Sequence, residues 1–61
     1  MMFLEYNWTF GCFQPRFGGC FTAVNGWRSF ATLDDAKFEL GIVGLRLGRK
    51  TGTRTWEIVS R

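Results

Sequence analysis

One segment of the chain, residues 32–44, has the features of an α-helix, and no other segment has them. Thr32 is suited to cap the first turn, with Asp35 at the third helical position in place of the usual Glu. Gly44 is suited to the left-handed residue that often follows the end of a helix. We therefore predict one helix, Leu33–Val43, which must cover one face of a small sheet.

Apolar residues occur on both sides of this helix. At about 100° per residue, one stripe should face the core; it consists of Leu33, Ala36, Leu40 and Val43. Phe38 and Ile42 lie on nearly the opposite side, so they need a second apolar surface. Three surfaces fit this role: a partner protein, a second copy of the chain in a homodimer, or the chain's own N-terminal strand or 11–19 loop.

The N-terminal half contains one clear strand and one clear turn. Residues Met2–Phe10 alternate between two faces, which is typical of a half-buried strand. Gly11–Gly19 contains three Gly and the only Pro of the chain, so we predict a mobile loop there. Asn25-Gly26 is a strong hairpin signal, because both central residues of a type I′ turn need positive φ.

The Asn25-Gly26 turn sets a register for flanking strands 20–24 and 27–31. It places Phe21 opposite Phe30 on the core side, and Val24 opposite Trp27 on the other side. For Trp27 two interpretations stay open, since it either covers its edge-strand neighbours or contacts a partner.

A second hairpin is predicted after the helix, with strands Leu45–Lys50 and Arg54–Val59. A turn at Thr51-Gly52 pairs Leu47 with Trp56, and it also places Arg49 opposite Arg54, where like charges repel. A three-residue turn would shift the register and remove this repulsion.

These segments predict a single small α+β domain over residues 1–61. It has an antiparallel sheet of about five short strands, in strand, hairpin, helix, hairpin order, with one helix packed on one face. A chain of this size buries only about 60% of its unfolded surface, so metals, disulfides or self-association often add stability. A metal site is not expected with no His and two Cys, and Cys12 and Cys20 are either free thiols or one disulfide.

Basic residues are concentrated in the second hairpin. Up to Gly44 the chain has three basic and four acidic residues, whereas from Leu45 onward it has five basic residues and one acidic residue. Such a ribbon is suited to contact nucleic-acid phosphates. The candidate nucleic-acid-binding residues are Arg46, Arg49, Lys50 and Arg54, with Trp27 and Arg28 as an aromatic and a basic neighbour.

No combination of residues indicates catalysis. The chain has no His, and Asp34 and Asp35 are better explained by their position at a helix start. Residues 44–51 have three residues between their glycines, so they do not match the phosphate-binding G-x-x-x-x-G-K-T loop. We therefore expect a protein that is not an enzyme, with no catalytic residues, no metal and no cofactor.

Two functions remain. The first is a nucleic-acid-binding module that uses the basic hairpin. The alternative is a protein-binding factor, of the kind that phages or mobile elements use to inhibit or modulate a host protein, with Phe38 and Ile42 as the contact. The chain has no signal-peptide pattern and no apolar run near the ~20 residues of a membrane span, so we expect a cytoplasmic protein without a membrane partner.

Overall fold

The computed structural model describes all 61 residues and contains one five-stranded antiparallel sheet and one helix. The elements are β1 (Met2–Asn7), β2 (Cys12–Phe17), β3 (Cys20–Phe21), α1 (Leu33–Ile42), β4 (Leu45–Gly52) and β5 (Thr55–Ser60). The strand order is β3-β2-β1-β5-β4, so β1 is central and pairs with β2 and β5. The predicted α+β class, with one helix packed against the sheet, is confirmed.

The predicted helix is confirmed at both ends to within one residue. The hydroxyl of Thr32 accepts a hydrogen bond from the Asp35 amide at 3.1 Å, and Gly44 follows the helix with φ of +79°. Leu40 is fully buried, as predicted, but the core position predicted for Val43 is wrong. Val43 is the C-cap, where the backbone leaves the helical path and turns its side chain away from the core-facing stripe.

The outer side of α1 is uncovered. Phe38 is 68% exposed and Ile42 is 56% exposed, so neither the N-terminal strand nor residues 11–19 cover them. This excludes the intramolecular alternative among the three surfaces considered for this pair.

The core is small and draws on every part of the chain. Its centre is Leu4 on β1, which lies opposite Pro15 on one side and Trp56 on the other. The buried apolar residues form a single cluster, which consists of Leu4, Phe13, Val24, Phe30, Ala36, Leu40 and Ile58.

The loop predicted at Gly11–Gly19 is wrong, because most of it is strand β2. Six consecutive residue pairs join β2 to β1, and Phe13 and Pro15 are buried. Proline is unusual inside a sheet because it has no N–H to donate. Here the Pro15 carbonyl accepts a hydrogen bond of 3.0 Å from the Thr22 amide, so the carbonyl faces the β3 side. The nitrogen of a strand residue points to the same side as its carbonyl, so the Pro15 nitrogen also faces that side. β3 ends at Phe21, so no strand residue lies opposite Pro15 there.

Pro15 therefore divides the outer edge of β2 into two short pairings. On one side of it lie the two residues of β3, and on the other side Phe13 exchanges two backbone hydrogen bonds of 2.8 Å with Phe30. The composition of this segment suggested a loop, but the fold places the proline where no donor is required.

The turn at Asn25-Gly26 is confirmed, but the long hairpin around it is wrong. Both residues have positive φ, and Val24 and Trp27 exchange two backbone hydrogen bonds of 2.9 Å. Beyond this pair the two arms separate, since Phe21 pairs with β2 and is exposed. Val24 is buried rather than on the outer side, because its arm turns inward to the core cluster.

The register predicted for the second hairpin is also wrong. Leu47 lies opposite Ile58 rather than Trp56, and Lys50 lies opposite Trp56, with irregularities on both sides of Lys50. The turn falls after Gly52, which faces Thr55. The later turn, together with these irregularities, removes the predicted opposition of two arginines.

Cys12 is the first residue of β2, and Cys20 is the first residue of β3, beside the other end of β2. Cys20 faces Phe17, and Cys12 is five residues further along the strand, which corresponds to about 16 Å of strand. The Cα atoms of a disulfide lie within about 7 Å of each other. Both thiols are accordingly free.

The structure contains no helix long and apolar enough to span a membrane.

Two glycines at the end of α1 should respond in opposite directions to replacement by alanine. Gly41 lies inside the helix with its nearest neighbour 3.9 Å from an added Cβ, so Gly41→Ala should stabilise the fold by about 0.5–1 kcal/mol. Gly44→Ala should destabilise it by about 1 kcal/mol or more, because φ is +79°. Urea unfolding followed by circular dichroism measures both changes in the free energy of unfolding. If both substitutions change it in the same direction, the helix end described above is wrong.

Candidate functional site

The turn after β1 presents aromatic side chains to solvent. The side-chain oxygen of Asn7 accepts hydrogen bonds from the amides of Thr9 (2.9 Å) and Phe10 (3.1 Å), and Gly11 donates to the Asn7 carbonyl at 2.7 Å. Such a turn built by an Asn side chain ends β1 three residues before the predicted boundary. As a result Trp8 is 69% exposed and Phe10 is 75% exposed.

Arg54 packs against this aromatic turn. It lies between β4 and β5, and its carbonyl accepts a hydrogen bond of 3.0 Å from the Tyr6 amide, which ties the hairpin turn to β1. Its guanidinium carbon is 4.6 Å from the ring centroid of Tyr6 and 4.6 Å from that of Trp8. Cation–π contacts of this kind hold the charged group on the rings while its N–H donors remain available.

A second cation–aromatic pair lies nearby on the same sheet face. The Lys50 ammonium is 5.4 Å from the ring centroid of Trp56, its cross-strand partner. The ring of Phe13 links the two pairs, since its centroid is 4.9 Å from that of Tyr6 and 6.0 Å from that of Trp56. We call this region the aromatic–basic surface; it comprises Tyr6, Trp8, Phe10, Lys50, Arg54 and Trp56.

The cations of the aromatic–basic surface have no acidic partner. The two ion pairs of the structure join Arg16 to Glu5 and Arg49 to Glu57. Arg54 and Lys50 take part in neither, and their side chains make no hydrogen bond. The region therefore has two uncompensated positive charges on aromatic rings, of which Trp8 is exposed and Tyr6 and Trp56 are half-buried.

The other candidate residues of the second hairpin lie elsewhere. Arg49 is paired with Glu57 at 3.5 Å. Arg46 lies toward the opposite end of β4, where it lines a shallow depression with Lys37 and Arg61. The hairpin thus presents its positive charge in separate places, and only Lys50 and Arg54 stand beside aromatic rings.

Trp27 and Arg28 lie away from the basic hairpin. Arg28 lines a depression with Gln14 and Phe21 near the β3 edge of the sheet, whereas the second hairpin forms the other edge. Gln14 and Phe21 also line the neighbouring depression with Tyr6 and Trp8, so Arg28 is the nearer of the two to the aromatic–basic surface. Trp27 lines a cleft with Phe38 of α1, so the structure brings together two residues that the sequence assigned to different functions.

Sequence reasoning missed Trp8, Tyr6 and Phe10 as candidate site residues. Their alternation with Leu4 suggested one continuous half-buried strand. The signal that could have revealed the exposed turn is the pair of turn-forming residues, Asn7 and Gly11, at a spacing of four.

No group of three or more His, Cys, Asp or Glu side chains in the structure is arranged to hold a metal ion. Comparisons of the chain with protein-family models, with curated proteins and with solved structures find no match.

The stacking of Arg54 on Trp8 should be measurable as a coupling energy. A double-mutant cycle with Arg54→Ala and Trp8→Ala, followed by urea unfolding, should give about 0.5–1 kcal/mol of coupling. The control is the same cycle with Trp27→Ala, which should give no coupling because Trp27 lies at a different site. Equal couplings in both cycles would show that Arg54 does not stack on Trp8 in solution.

Proposed function

We propose that the protein is a non-enzymatic module that binds single-stranded nucleic acid through the aromatic–basic surface. The observation that carries this proposal is the placement of two unpaired cations on aromatic rings: Arg54 lies against the half-buried Tyr6 and the exposed Trp8, and Lys50 lies against the half-buried Trp56. Proteins that bind single strands combine positive charge along the backbone path with rings on which bases stack.

Each component has a distinct task in this proposal. The guanidinium carbon of Arg54 lies 4.6 Å from the centroids of Tyr6 and Trp8, and its N–H groups make no hydrogen bond within the chain, so they can donate to a phosphate. Trp8 and Phe10, in the turn after β1, are exposed, and unstacked bases can bind to their rings. Lys50, on β4, adds a second positive charge beside Trp56.

Single strands fit this surface better than a duplex does. In a duplex the bases already stack on each other, so their faces are not available to stack on exposed protein rings. A two-stranded ribbon can enter a major groove, but here Arg49, next to Lys50 at the hairpin tip, is paired with Glu57 of its own chain. The rings therefore favour a single-stranded ligand.

Titration of labelled single-stranded oligonucleotides at low and moderate salt tests the proposal. Affinity should fall as salt rises, with a log–log slope of about −0.7 for each neutralised phosphate. Arg54→Gln should weaken binding and make the slope shallower by about that amount. Trp8→Ala should cost about 1–3 kcal/mol of binding free energy if a base stacks on it.

Arg46→Gln and Trp27→Ala are the matched controls, because they remove the same side-chain types from outside the surface. Both should leave affinity and salt slope unchanged. No binding at low salt would exclude the proposal, and tighter binding to a duplex of the same sequence would assign the hairpin to groove recognition instead.

A second candidate function is a factor that binds a host protein and modulates it. The observation in its favour is the exposure of Phe38 and Ile42 on the outer side of α1, one helical turn apart. Exposed apolar side chains grouped on one face are a common feature of protein contact sites.

Replacement of Phe38 tests whether it is free for such a contact. Phe38→Ser should change the free energy of unfolding by no more than about 0.5 kcal/mol, because the ring contributes little to the core. Phe30→Ser is the control: this ring is buried, and its loss should cost at least about 3 kcal/mol. A large loss of stability in Phe38→Ser, measured by urea unfolding, would assign Phe38 to the core and remove the support for this candidate.

A further inference from the structure

A cleft lies between the Asn25-Gly26 turn and the helix. Trp27 and Ser29–Ala31 form one wall, and Asp35, Phe38 and Glu39 of α1 form the other. Its volume is about 290 Å³. Phe30 lines it from the buried side and is part of the core cluster.

The walls of this cleft are held in place. The side-chain amide of Asn25 donates a 2.7 Å hydrogen bond to the carboxylate of Glu39, which ties the turn to the helix. Two backbone hydrogen bonds fix Trp27 to Val24, and Val24 is anchored in the core. A ligand would therefore meet a cleft that is already formed.

The cleft combines aromatic rings with uncompensated negative charge. Neither Asp35 nor Glu39 takes part in an ion pair, since both ion pairs of the structure use other acids. This is notable in a chain with eight basic and five acidic residues. The complementary ligand is a cation that presents a flat face to Trp27 and Phe38 and N–H donors to the two carboxylates.

We propose that the Trp27–Phe38 cleft binds an arginine side chain of a partner protein. A guanidinium is planar, stacks on aromatic faces, and donates paired hydrogen bonds to carboxylates, whereas an ammonium is a compact and more strongly hydrated charge. The cleft lies at the lower end of the size range of small-molecule sites, which suits one side chain better than a larger ligand. The inference rests on the second candidate function, protein binding through Phe38, and is independent of nucleic-acid binding.

A second copy of the chain is a poorer source of this arginine. Two of its six arginines, Arg16 and Arg49, are already paired with carboxylates of their own chain. Two copies also repel each other through a net charge of +3 each. Both observations favour a foreign polypeptide with an exposed basic segment.

The test uses the intact ¹⁵N-labelled protein and two capped peptides, Ac-Gly-Arg-Gly-NH₂ and its citrulline counterpart. Citrulline has nearly the same shape as arginine but no charge. The arginine peptide should cause saturable shifts of the Trp27 indole N–H and of the amides around Phe38. The indole signal is assigned from the spectrum of Trp27→Phe. The citrulline peptide should bind at least tenfold more weakly.

Charge variants complete the test. The double variant Asp35→Asn, Glu39→Gln should weaken arginine-peptide binding at least tenfold, and Glu39→Gln keeps an oxygen that can accept from Asn25. Asp34→Asn, in the same helical turn but outside the cleft, should have no such effect, and its spectrum also controls for changes in the fold.

The contrary outcomes are distinct. Equal binding of both peptides would overturn the arginine proposal but leave an apolar contact through Phe38. If neither peptide binds, this inference is wrong, whatever the result of the Phe38→Ser unfolding test. Shifts of the same resonances with protein concentration alone would identify a second copy as the occupant instead.

Discussion

The pairing of β1 with both β2 and β5 is the constraint on which the rest of the fold depends. Leu4, in the middle of β1, is fully buried between the two neighbouring strands. Once this register is set, Tyr6 lies opposite Phe13 and reaches the hairpin turn through the Arg54 carbonyl. The same register brings Trp56 onto the core face, so the central strand positions the aromatic rings of the candidate site as well as the core.

The length of the helix decides where the two candidate surfaces lie. Ten residues of α-helix span about 15 Å, whereas the eight residues of β4 span about 26 Å, so α1 cannot cover the whole sheet face. Aromatic rings occupy the uncovered end, and Lys50 and Arg54 lie on them. The outer side of α1 has no second layer, and Phe38 remains exposed there beside Trp27. One surface is positive and the other is negative, which favours ligands of different chemistry.

Local signals predicted the features that depend on a few adjacent residues. The Thr32 cap, the Gly44 stop and the Asn25-Gly26 turn all appear where the sequence placed them, because hydrogen bonding and φ at these positions are determined within one turn of chain. Strand β2 was missed for the opposite reason. The glycines that flank it and Pro15 within it have loop propensities, and only pairing to β1 and the early end of β3 make a strand there possible. The candidate site was anticipated for Lys50 and Arg54 from charge alone, but their aromatic neighbours were not.

The sequence by itself determined the α+β class, the helix with its two apolar sides, and the concentration of positive charge in the last hairpin, since these follow from periodicity and composition. Tertiary structure decided which cations stand beside rings, because Arg49 and Lys50 are adjacent in the chain but have different partners, Glu57 and Trp56. It also joined Trp27 to Phe38, eleven positions apart, in one cleft. Cross-strand register and the packing of one element on another produce such contacts, and neither is encoded in a short stretch of sequence.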